Sequence, residues 1–486
     1  MKQEELEKLI SELVKLPNET EWVEFKFNNT NPEEIGDDIS ALSNGAALHE
    51  KDRAYIIFGI EDKTHTIIGT TFKPRQTKRG NEELESWLSH KLEPKINFLI
   101  FEFEYQTKPI VIFEICATVD RPVSFDNKTF IRVGSYTKSL KNYPEKERRI
   151  WNNPRHRSFE REVATLRTTA DNILVLLDYP SYFELTKQPL PNSRDVILEK
   201  LEQDKLIEKE QSGFYSIKNL GALLFAKNLQ EFETLRNNTV RVIEYACDDR
   251  TQTIREQEGK RGYASGFQRI IDYINSKLPS NEMIQDALRV EKKIYPEIAI
   301  RELVANTLIH QDFLERGNGP MIEIFKNRLE ITNKGIPLIN TDRFIDSAPQ
   351  ARNEKTASFM RRIGICEQRG SGIDKVVFSI ESYQLPAPNF IVTEKSTKAI
   401  LYTPRKLTKM SKEDKIRACY QHCCIKYVAN DFMDNASLRK RFNIKDSNYP
   451  AASKIIRDTI ESTFVKPVNT GPKHSRKFAK YVPFWS

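Results

Sequence analysis

The sequence predicts an α+β protein of several domains. Its 486 residues exceed the roughly 100 to 200 residues of a typical domain, so about three or four domains are expected. Short strand-like runs such as 54–60 and 321–325 alternate with longer segments of helical spacing. Positive charge is concentrated after residue 436. Together these observations predict domains at 1–144, 145–228, 229–405 and 406–486.

Composition favours a protein of the cytoplasm. Hydrophobic residues make up 39% of the chain and charged residues 30%, as in ordinary globular proteins. No apolar run approaches the roughly 18 residues that cross a bilayer, and the acidic start does not resemble a signal peptide. The six cysteines do not form the framework of a secreted protein. Those crowded at 419–424 are interpreted as a structural cluster, because no second ligand pair follows at zinc-finger spacing.

The first domain begins with closely spaced carboxylates. An alternating strand pattern carries Glu24 and Lys26 on one face, and Glu19 lies a few residues before it. After a helical segment, the apolar run 54–60 leads directly to Asp62. A strand that places Asp62 beside Glu24 would build a carboxylate cluster able to hold a divalent cation.

The second predicted domain, 145–228, is a mostly helical connector. A helix is expected at 193–201 and a strand at 213–217. The helix is rich in Asp and Glu, so we do not expect it to bind phosphate. The likeliest linker farther along the chain is 404–413, which contains Pro, Lys and Ser.

One segment of the third domain carries polar residues at helical spacing. Glu302, Asn306 and His310 recur every four residues, which places a carboxylate, an amide and an imidazole on one helix face. A carboxylate that polarises water, beside an amide oxygen that binds Mg²⁺, suits the handling of a nucleoside triphosphate. The alternative is that this spacing marks only a solvated helix face.

Two further elements follow that helix. Strand-like runs near 321–325 and 329–332 end in a turn where Gly335 can take a positive φ. Gly370 and Gly372 then open a helical segment, and a glycine-rich turn at a helix start presents N–H groups to phosphate. Either feature alone is weak evidence for a nucleotide site. The order of the three elements, helix, paired strands and glycine-rich turn, is stronger evidence.

In that order they resemble the GHKL ATPase superfamily, the group containing DNA gyrase, histidine kinases and mismatch-repair ATPases, over roughly 240–405. The most similar members are divergent modules of proteins labelled RecG-like or predicted transcriptional regulators. The resemblance implies that the protein binds ATP and Mg²⁺. The implied residues are Glu302 for activating water, Asn306 for Mg²⁺, Asn333 and Gly335 at the adenine, and Gly370 and Gly372 at the phosphates, with His310 beside them. Most of the superfamily has Asp at position 333, but Asn also accepts a hydrogen bond through its carbonyl oxygen.

The segment up to about Lys141 resembles the Schlafen AlbA-type domain. The resemblance rests on Glu24-Phe-Lys26, the helix end 41–44 and the motif 130–135. Schlafen members that cut tRNA and rRNA use two glutamates and an aspartate as a metal site. The matching residues here are Glu19, Glu24 and Asp62, with Mg²⁺ or Mn²⁺ as the implied metal.

This chain departs from the Schlafen pattern at one turn. Ala46-Ala47 replaces the usual Gly-Gly pair, and an insertion lengthens the turn before the next strand. The alternative to nuclease chemistry is a domain that only binds nucleic acid, with Lys26 and Arg132 as contacts.

The fourth domain holds the excess positive charge. Residues 436–486 contain eleven Lys or Arg against three Asp or Glu, an excess equal to the net charge of +8 of the whole chain. Helices at 437–442 and 449–462 and strands at 465–468 and 479–482 predict a winged helix, whose second helix enters a major groove. The predicted nucleic-acid contacts are Arg439, Lys440, Arg441, Lys454, Arg457, Lys473, Arg476 and Lys477. Alternatively, the basic face only keeps the protein soluble.

Two functions remain open from the sequence. The favoured one is a nucleotide-responsive regulator that binds DNA or RNA, with a dimer favoured by the GHKL resemblance. The alternative is a metal-dependent nuclease that cuts RNA or single-stranded DNA, in defence against phage.

Overall fold

The chain folds into two compact units in the computed structural model. One unit is Met1–Glu162 with Lys209–Ser216, and the other is Val163–Glu208 with Ile217–Ser486. The structure describes residues 3–16, 19–28, 30–49, 51–62, 64–119, 121–151, 158–210, 213–285, 288–315, 317–348, 350–367, 371–468 and 479–486, with the backbone alone for 280–285 and 288–292. The described chain is of the predicted α+β class. None of its helices is long and apolar enough to cross a membrane.

The N-terminal unit is built on a four-stranded sheet. Its helices are α1 (Gln3–Leu13), α2 (Pro32–Leu48), α3 (Leu84–Lys91) and α4 (Pro144–Trp151). Its strands are β1 (Val23–Lys26), β2 (Arg53–Phe58), β3 (Lys78–Arg79), β4 (Glu82–Glu83), β5 (Leu92–Glu93), β6 (Phe98–Tyr105), β7 (Lys108–Cys116), β8 (Ser124–Phe125), β9 (Lys128–Val133) and β10 (Tyr136–Ser139). The main sheet has the order β1-β2-β7-β6, with β1 parallel to β2, and a second sheet has the order β10-β9-β8-β5.

Strand β2 lies at the centre of this unit because it is apolar on both faces. Ala54, Ile56 and Phe58 pack into the core beneath α2. Tyr55 and Ile57 point to the opposite core, which is closed by α1. A strand covered on both sides reads as a continuous apolar run, which is the pattern found in the sequence.

Residues 163–228 contain more strand than predicted. The helices are α5 (Ala170–Leu176), α6 (Tyr179–Leu185), α7 (Arg194–Gln203) and α8 (Asn219–Phe225), and the strands are β11 (Val163–Thr168), β12 (Ile207–Lys209) and β13 (Tyr215–Lys218). Only the last strand was expected. The strands β11 and β12 were not predicted, since strands of three to six residues are too short for their periodicity to stand out, but helices still hold more of this stretch than strands do.

The next region is a six-stranded sheet with helices. The strands are β14 (Val240–Tyr245), β15 (Thr253–Gly259), the hairpin β16 (Ser280–Gln285) and β17 (Leu288–Lys293), then β18 (Met321–Ile324), β19 (Arg328–Lys334), β20 (Asn389–Val392) and β21 (Ser396–Tyr402). The sheet order is β15-β14-β18-β19-β21-β20. The helices are α9 (Tyr263–Lys277), α10 (Glu297–Ile309), α11 (Glu354–Arg362) and α12 (Gly372–Ser382). Helix α10 packs on β19 and against α9 and α12.

The chain ends in three helices and two short strands. They are α13 (Lys412–Val428), α14 (Asn435–Phe442), α15 (Tyr449–Glu461), β22 (Val465–Pro467) and β23 (Tyr481–Pro483). Strands β22 and β23 pair antiparallel, and Met433 forms a further bridge to Tyr481. Cys419, Cys423 and Cys424 are free thiols in the core of this region. The same core includes Ile345 and Val377, so it is continuous with α12.

Candidate functional site

Helix α10 forms one wall of a pocket. Glu302, Asn306 and His310 all line it. A helix rises about 1.5 Å per residue, so these side chains stand about 6 Å apart and span about 12 Å along the wall. The solvated-face alternative is not what the structure has, because Glu302 is buried and the other two side chains are half-buried.

The floor of the pocket comes from two neighbouring strands. In the register of β19 and β21, Asn333 lies opposite Thr397 and Ile331 lies opposite Ala399. Side chains alternate between the two faces of a strand, so these four residues face the same side of the sheet. All four line the pocket.

The start of helix α12 closes the pocket beside Glu302. A Cβ atom built on Gly372 would lie 2.9 Å from Glu302 Oε2 and 3.9 Å from Asn306 Nδ2. Any side chain at position 372 would therefore force the Glu302 carboxylate to move. The second predicted phosphate-side glycine, Gly370, lies outside the described residues.

The pocket has two chemically different ends. At one end, Asn333 Nδ2 donates to the backbone oxygens of His310, at 3.5 Å, and Lys334, at 3.2 Å. At the other end, Gly372 meets Glu302. Since Glu302 and His310 are two turns apart on α10, a ligand held between Asn333 and Gly372 would run along the helix.

The hydrogen bonds of Asn333 determine what it can offer a ligand. An amide nitrogen can only donate, and both of its neighbours are carbonyl oxygens. The carbonyl oxygen of the Asn333 side chain is therefore left to accept a bond from the pocket. In this orientation Asn333 offers the same acceptor as an aspartate would.

Gly335 shapes the turn after β19 without lining the pocket. Its φ is +100°, as expected, and a Cβ atom there would lie 2.7 Å from Asp312 Cβ. Its amide donates to Lys395 O at 2.7 Å. The predicted role at the adenine is thus at most indirect, because this glycine holds the turn that follows Asn333.

Burial changes the protonation of two wall residues. Burial raises the pKa of Glu302, and the nearby Lys375 and Arg301 partly offset the rise. Burial, aided by the positive charge of Arg352, lowers the pKa of His310 to about 4. At neutral pH the imidazole is uncharged, so it can hydrogen-bond to a ligand but adds no positive charge.

Two arginines in the pocket wall were missed by the sequence reading. Arg352 forms an ion pair with Asp312 at 2.9 Å and donates to Ile336 O at 2.9 Å. Arg361, on helix α11, also lines the pocket. Arginines are common and these two follow no periodic pattern, so nothing in the sequence distinguished them from surface residues.

The donor set of the pocket fits Mg²⁺ held largely by a ligand. Among the residues that the structure describes, no group of three or more His, Cys, Asp or Glu could hold a metal ion. Mg²⁺ commonly binds one or two protein oxygens and completes its shell with phosphate oxygens and water. The side-chain oxygens of Asn306 and Glu302 suit that arrangement.

The predicted carboxylate cluster of the N-terminal unit is organised around an arginine. Arg132 Nη2 lies 3.1 Å from Glu19 Oε2 and 2.5 Å from Glu24 Oε2. The Phe25 amide donates to Glu19 Oε1 at 2.8 Å. Burial and the neighbouring charge of Glu24 raise the pKa of Glu19 to about 8, and burial raises that of Glu24.

This arrangement does not fit a metal held by the three predicted acids. The guanidinium of Arg132 already supplies the positive charge between Glu19 and Glu24. Asp62 is exposed in the turn after β2, and the three acids do not form a metal-binding group in the described chain. The prediction of a metal site at Glu19, Glu24 and Asp62 is therefore corrected to a buried cluster in which Arg132 lies between Glu19 and Glu24.

Of the predicted nucleic-acid contacts, Arg132 and Arg441 are buried and Lys26 is half-buried and ion-paired. Arg132 is only 2% exposed, and Lys26 forms ion pairs with Asp38 at 2.9 Å and Glu24 at 3.4 Å. Arg441 is buried and donates to Leu385 O at 2.7 Å. Phosphate contact requires an accessible cation, so these assignments are corrected.

Other basic residues of the N-terminal unit are accessible. Tyr136, at the start of β10, is 68% exposed, and Lys138 Nζ lies 5.4 Å from the centre of its ring. Ile131, Leu140 and Ile150 pack together, so the β9–β10 hairpin and helix α4 form one small assembly. Its exposed basic residues are Lys128, Lys138, Lys141, Arg148 and Arg149.

The remaining predicted contacts lie in the C-terminal helices. Lys440, Lys454 and Arg457 are exposed. Arg439 forms an ion pair with Asp446. Lys473, Arg476 and Lys477 lie outside the described residues.

A buried polar junction connects α12 to these C-terminal helices. His422 Nδ1 lies 2.8 Å from Glu381 Oε1, and His422 Nε2 lies 3.1 Å from Ser437 Oγ. Arg441 Nε lies 3.5 Å from Glu381 Oε2. Glu381, near the end of α12, therefore contacts residues of both α13 and α14.

Two segments of the chain match known families. Residues 19–141 match the family model "Schlafen, AlbA_2". Residues 317–401 match the ATPase-type model HATPase_c_4, described as "Putative ATP-dependent DNA helicase recG C-terminal". These matches confirm both predicted resemblances. The second match includes Asn333 and Gly372 but not helix α10, and neither reaches the C-terminal helices, so the winged helix stays a prediction.

One solved structure is similar over nearly its whole length. It is the DIP2311 protein from Corynebacterium diphtheriae, with a TM-score of 0.43 at 15% identity, covering 99% of this chain and 97% of that chain. Comparison with curated proteins found no match.

Proposed function

We propose that this protein is a nucleotide-responsive regulator that binds nucleic acid. The observation that carries the proposal is that Glu302, Asn306, His310, Asn333 and Gly372 line the same pocket. The two family matches support a nucleic-acid-related ATP-binding protein.

ATP would lie along α10 with its base at Asn333. The free carbonyl oxygen of Asn333 would accept the adenine amino group, and the neutral His310 stands beside it. The phosphates would then extend toward Gly372 and Glu302, where Asn306 offers an oxygen to Mg²⁺. When bound, Mg²⁺ would offset phosphate charge. Glu302, whose raised pKa favours proton uptake, would orient and deprotonate a water if hydrolysis occurs.

The C-terminal region would bind nucleic acid as a winged helix. Its order of three helices, a bridge at Met433 and an antiparallel strand pair suits that assignment. Helix α15 would be the helix that enters the groove, and its Lys454 and Arg457 are exposed. In the N-terminal unit, the exposed basic residues near Tyr136 are better placed for nucleic acid than Lys26 and Arg132.

Helix α12 provides a physical route for the nucleotide response. It begins at the pocket with Gly372 and reaches Glu381, about 14 Å away along the helix. Val377 packs into the core of the C-terminal helices, and Glu381 binds His422 and Arg441. A nucleotide that shifts the start of α12 would therefore shift α13 and α14, which pack against α15, the helix that carries Lys454 and Arg457.

The test is electrophoretic mobility of labelled duplex DNA, single-stranded DNA and tRNA, with and without ATP and Mg²⁺. We expect a salt-sensitive complex whose affinity changes with ATP. Asn306→Ala should keep the complex but lose its response to ATP. Lys454→Gln/Arg457→Gln should weaken the complex while ATP binding persists. Wild-type protein that binds no nucleic acid, or binds it without any response to ATP, would contradict the proposal.

The nuclease alternative is tested in the same samples. It requires Glu19 and Glu24 to bind a metal, yet Arg132 pairs with both. We expect intact substrates with Mg²⁺ or Mn²⁺. Cleavage that disappears in Glu24→Gln would replace the regulator with the nuclease. Light scattering of the same protein tests the proposed dimer.

A further inference from the structure

Two adjacent arginines of helix α11 have different surroundings. Arg362 Nη1 donates to Asp204 Oδ1 at 2.8 Å, and the same carboxylate accepts from Tyr182 at 2.7 Å. The guanidinium of Arg362 also lies 4.3 Å from the centre of the Phe359 ring. Arg362 is thus fully engaged in holding α11 against the 163–208 segment.

Arg361 points the other way, into the pocket. It lines the pocket together with Glu302, Cys366 and Gly372. Burial and the negative charge of Glu302 raise the pKa of the Cys366 thiol to about 12, although the positive charges of Arg361 and Arg301 partly offset the rise. Glu302 and Arg361 therefore both lie near Cys366, at the Gly372 end of the pocket rather than at the Asn333 end.

The charge of Arg361 has no protein partner in the described part of the chain. No carboxylate there lies within ion-pair distance of it, whereas Arg352 at the opposite end is paired with Asp312. The side chain is half-buried, so water solvates its positive charge only in part. An anionic ligand in the pocket would complete its interactions.

We propose that Arg361 binds the polyphosphate chain of the nucleotide. This inference rests on the proposed function and adds a binding residue to the same pocket. A guanidinium presents several N–H donors in one plane, which matches two phosphate oxygens at once. It also balances the negative charge that phosphates would bring next to Glu302.

The position of Arg361 makes it selective for the phosphates. It lies at the end of the pocket away from Asn333, so it would not contact the adenine base. Loss of its charge should weaken the binding of ATP and ADP strongly, that of AMP less, and that of adenosine hardly at all. A residue that only shaped the pocket would affect all four ligands alike.

The experiment is calorimetric titration of the full-length protein with ATP, ADP, AMP and adenosine. Arg361→Gln should raise the Kd for ATP by about tenfold or more and leave the Kd for adenosine within about twofold of wild type. Arg361→Lys should recover part of the ATP affinity, because it restores the charge without the paired donors.

Arg362→Gln is the matched control, because it removes the same charge from the same helix. It should bind ATP within about twofold of wild type. It should also unfold at a lower temperature, since Asp204 loses its charged partner and keeps only the hydrogen bond from Tyr182. This control separates a general electrostatic effect of α11 from a contact made by Arg361.

Three results would overturn the inference. They are full ATP affinity in Arg361→Gln, a loss of adenosine affinity in Arg361→Gln as large as its loss of ATP affinity, and an equal loss of ATP affinity in Arg362→Gln. A wild-type protein that binds none of the four ligands would instead overturn the proposed function, and the role of Arg361 with it. Normal wild-type binding with an unaffected Arg361→Gln would remove only this inference.

Discussion

Replacing Gly372 with alanine should separate nucleotide binding from folding. The new Cβ atom would lie 2.9 Å from Glu302 Oε2, which is closer than such contacts occur. The atom that must move is the end of a flexible side chain, not backbone. The Glu302 carboxylate should therefore rotate, and in doing so it should occupy space at the phosphate end of the pocket.

The expected effect on stability is small. Alanine is favoured over glycine in a helix by up to about 1 kcal/mol, which offsets the cost of moving the carboxylate. The free energy of unfolding should thus stay within about 1 kcal/mol of wild type. The Kd for ATP should rise about tenfold, which corresponds to ~1.4 kcal/mol, because both the added methyl and the displaced carboxylate oppose the phosphates.

The assay combines calorimetric titration with ATP and urea unfolding of the same samples. Gly364→Ala serves as the control. Gly364 has a φ of +74° and its built Cβ atom meets nothing within 4 Å, so alanine there strains the backbone without touching the pocket. It should lose about 1 kcal/mol of stability and bind ATP normally.

The two variants should therefore show opposite behaviour. If Gly372→Ala binds ATP like wild type, the phosphates do not lie against Glu302 and the start of α12. If Gly364→Ala loses affinity to the same degree, the loss reflects general destabilisation, and the reasoning from the 2.9 Å contact fails.

Three further predictions address other parts of the protein. Asn333→Leu should weaken ATP about tenfold and abolish the preference for ATP over GTP in titrations, whereas Asn333→Asp should keep that preference because it keeps the acceptor. Glu381→Ala should lower the free energy of urea unfolding by about 3 kcal/mol, since Arg441 and His422 are left buried without their carboxylate; a change near zero would show that the junction is solvated. Burial and the charge of Glu24 raise the pKa of Glu19 from its ordinary 4.5 to about 8 in the folded protein, so its contribution to stability is complete below about pH 4.5 and is lost as the pH rises toward 8. Melting temperatures measured from pH 5 to 8.5 should therefore fall less steeply in Glu19→Gln than in wild type, and equal slopes would contradict the raised pKa.

The pocket was predictable where local geometry decides which side chains share a face. Glu302, Asn306 and His310 are spaced by four, and any α-helix places such residues together. Asn333 and Gly372 were added from the order of the following elements. The structure brings all five to one pocket.

The errors have a common cause. Arg132, Lys26 and Arg441 were assigned to nucleic acid because a positive charge in a sequence reads as a surface residue. In the fold each has a carboxylate partner on another element, such as Glu19 for Arg132, Asp38 for Lys26 and Glu381 for Arg441, and those pairs make burial tolerable. The prediction of a metal site was wrong for a related reason. Arg132, the partner of Glu19 and Glu24, is 108 or more residues away from them in the sequence.

The sequence by itself determined the α+β class, the two family resemblances and the helix faces of this protein. Those features depend on the period of apolar residues and on short motifs, which act over a few neighbours along the chain. Only the tertiary structure decided the partners of the charged residues, including the turn of Arg361 into the pocket and of Arg362 away from it. Such pairings depend on which distant segments pack together, and the residues next to a charged side chain in the sequence do not identify its partner.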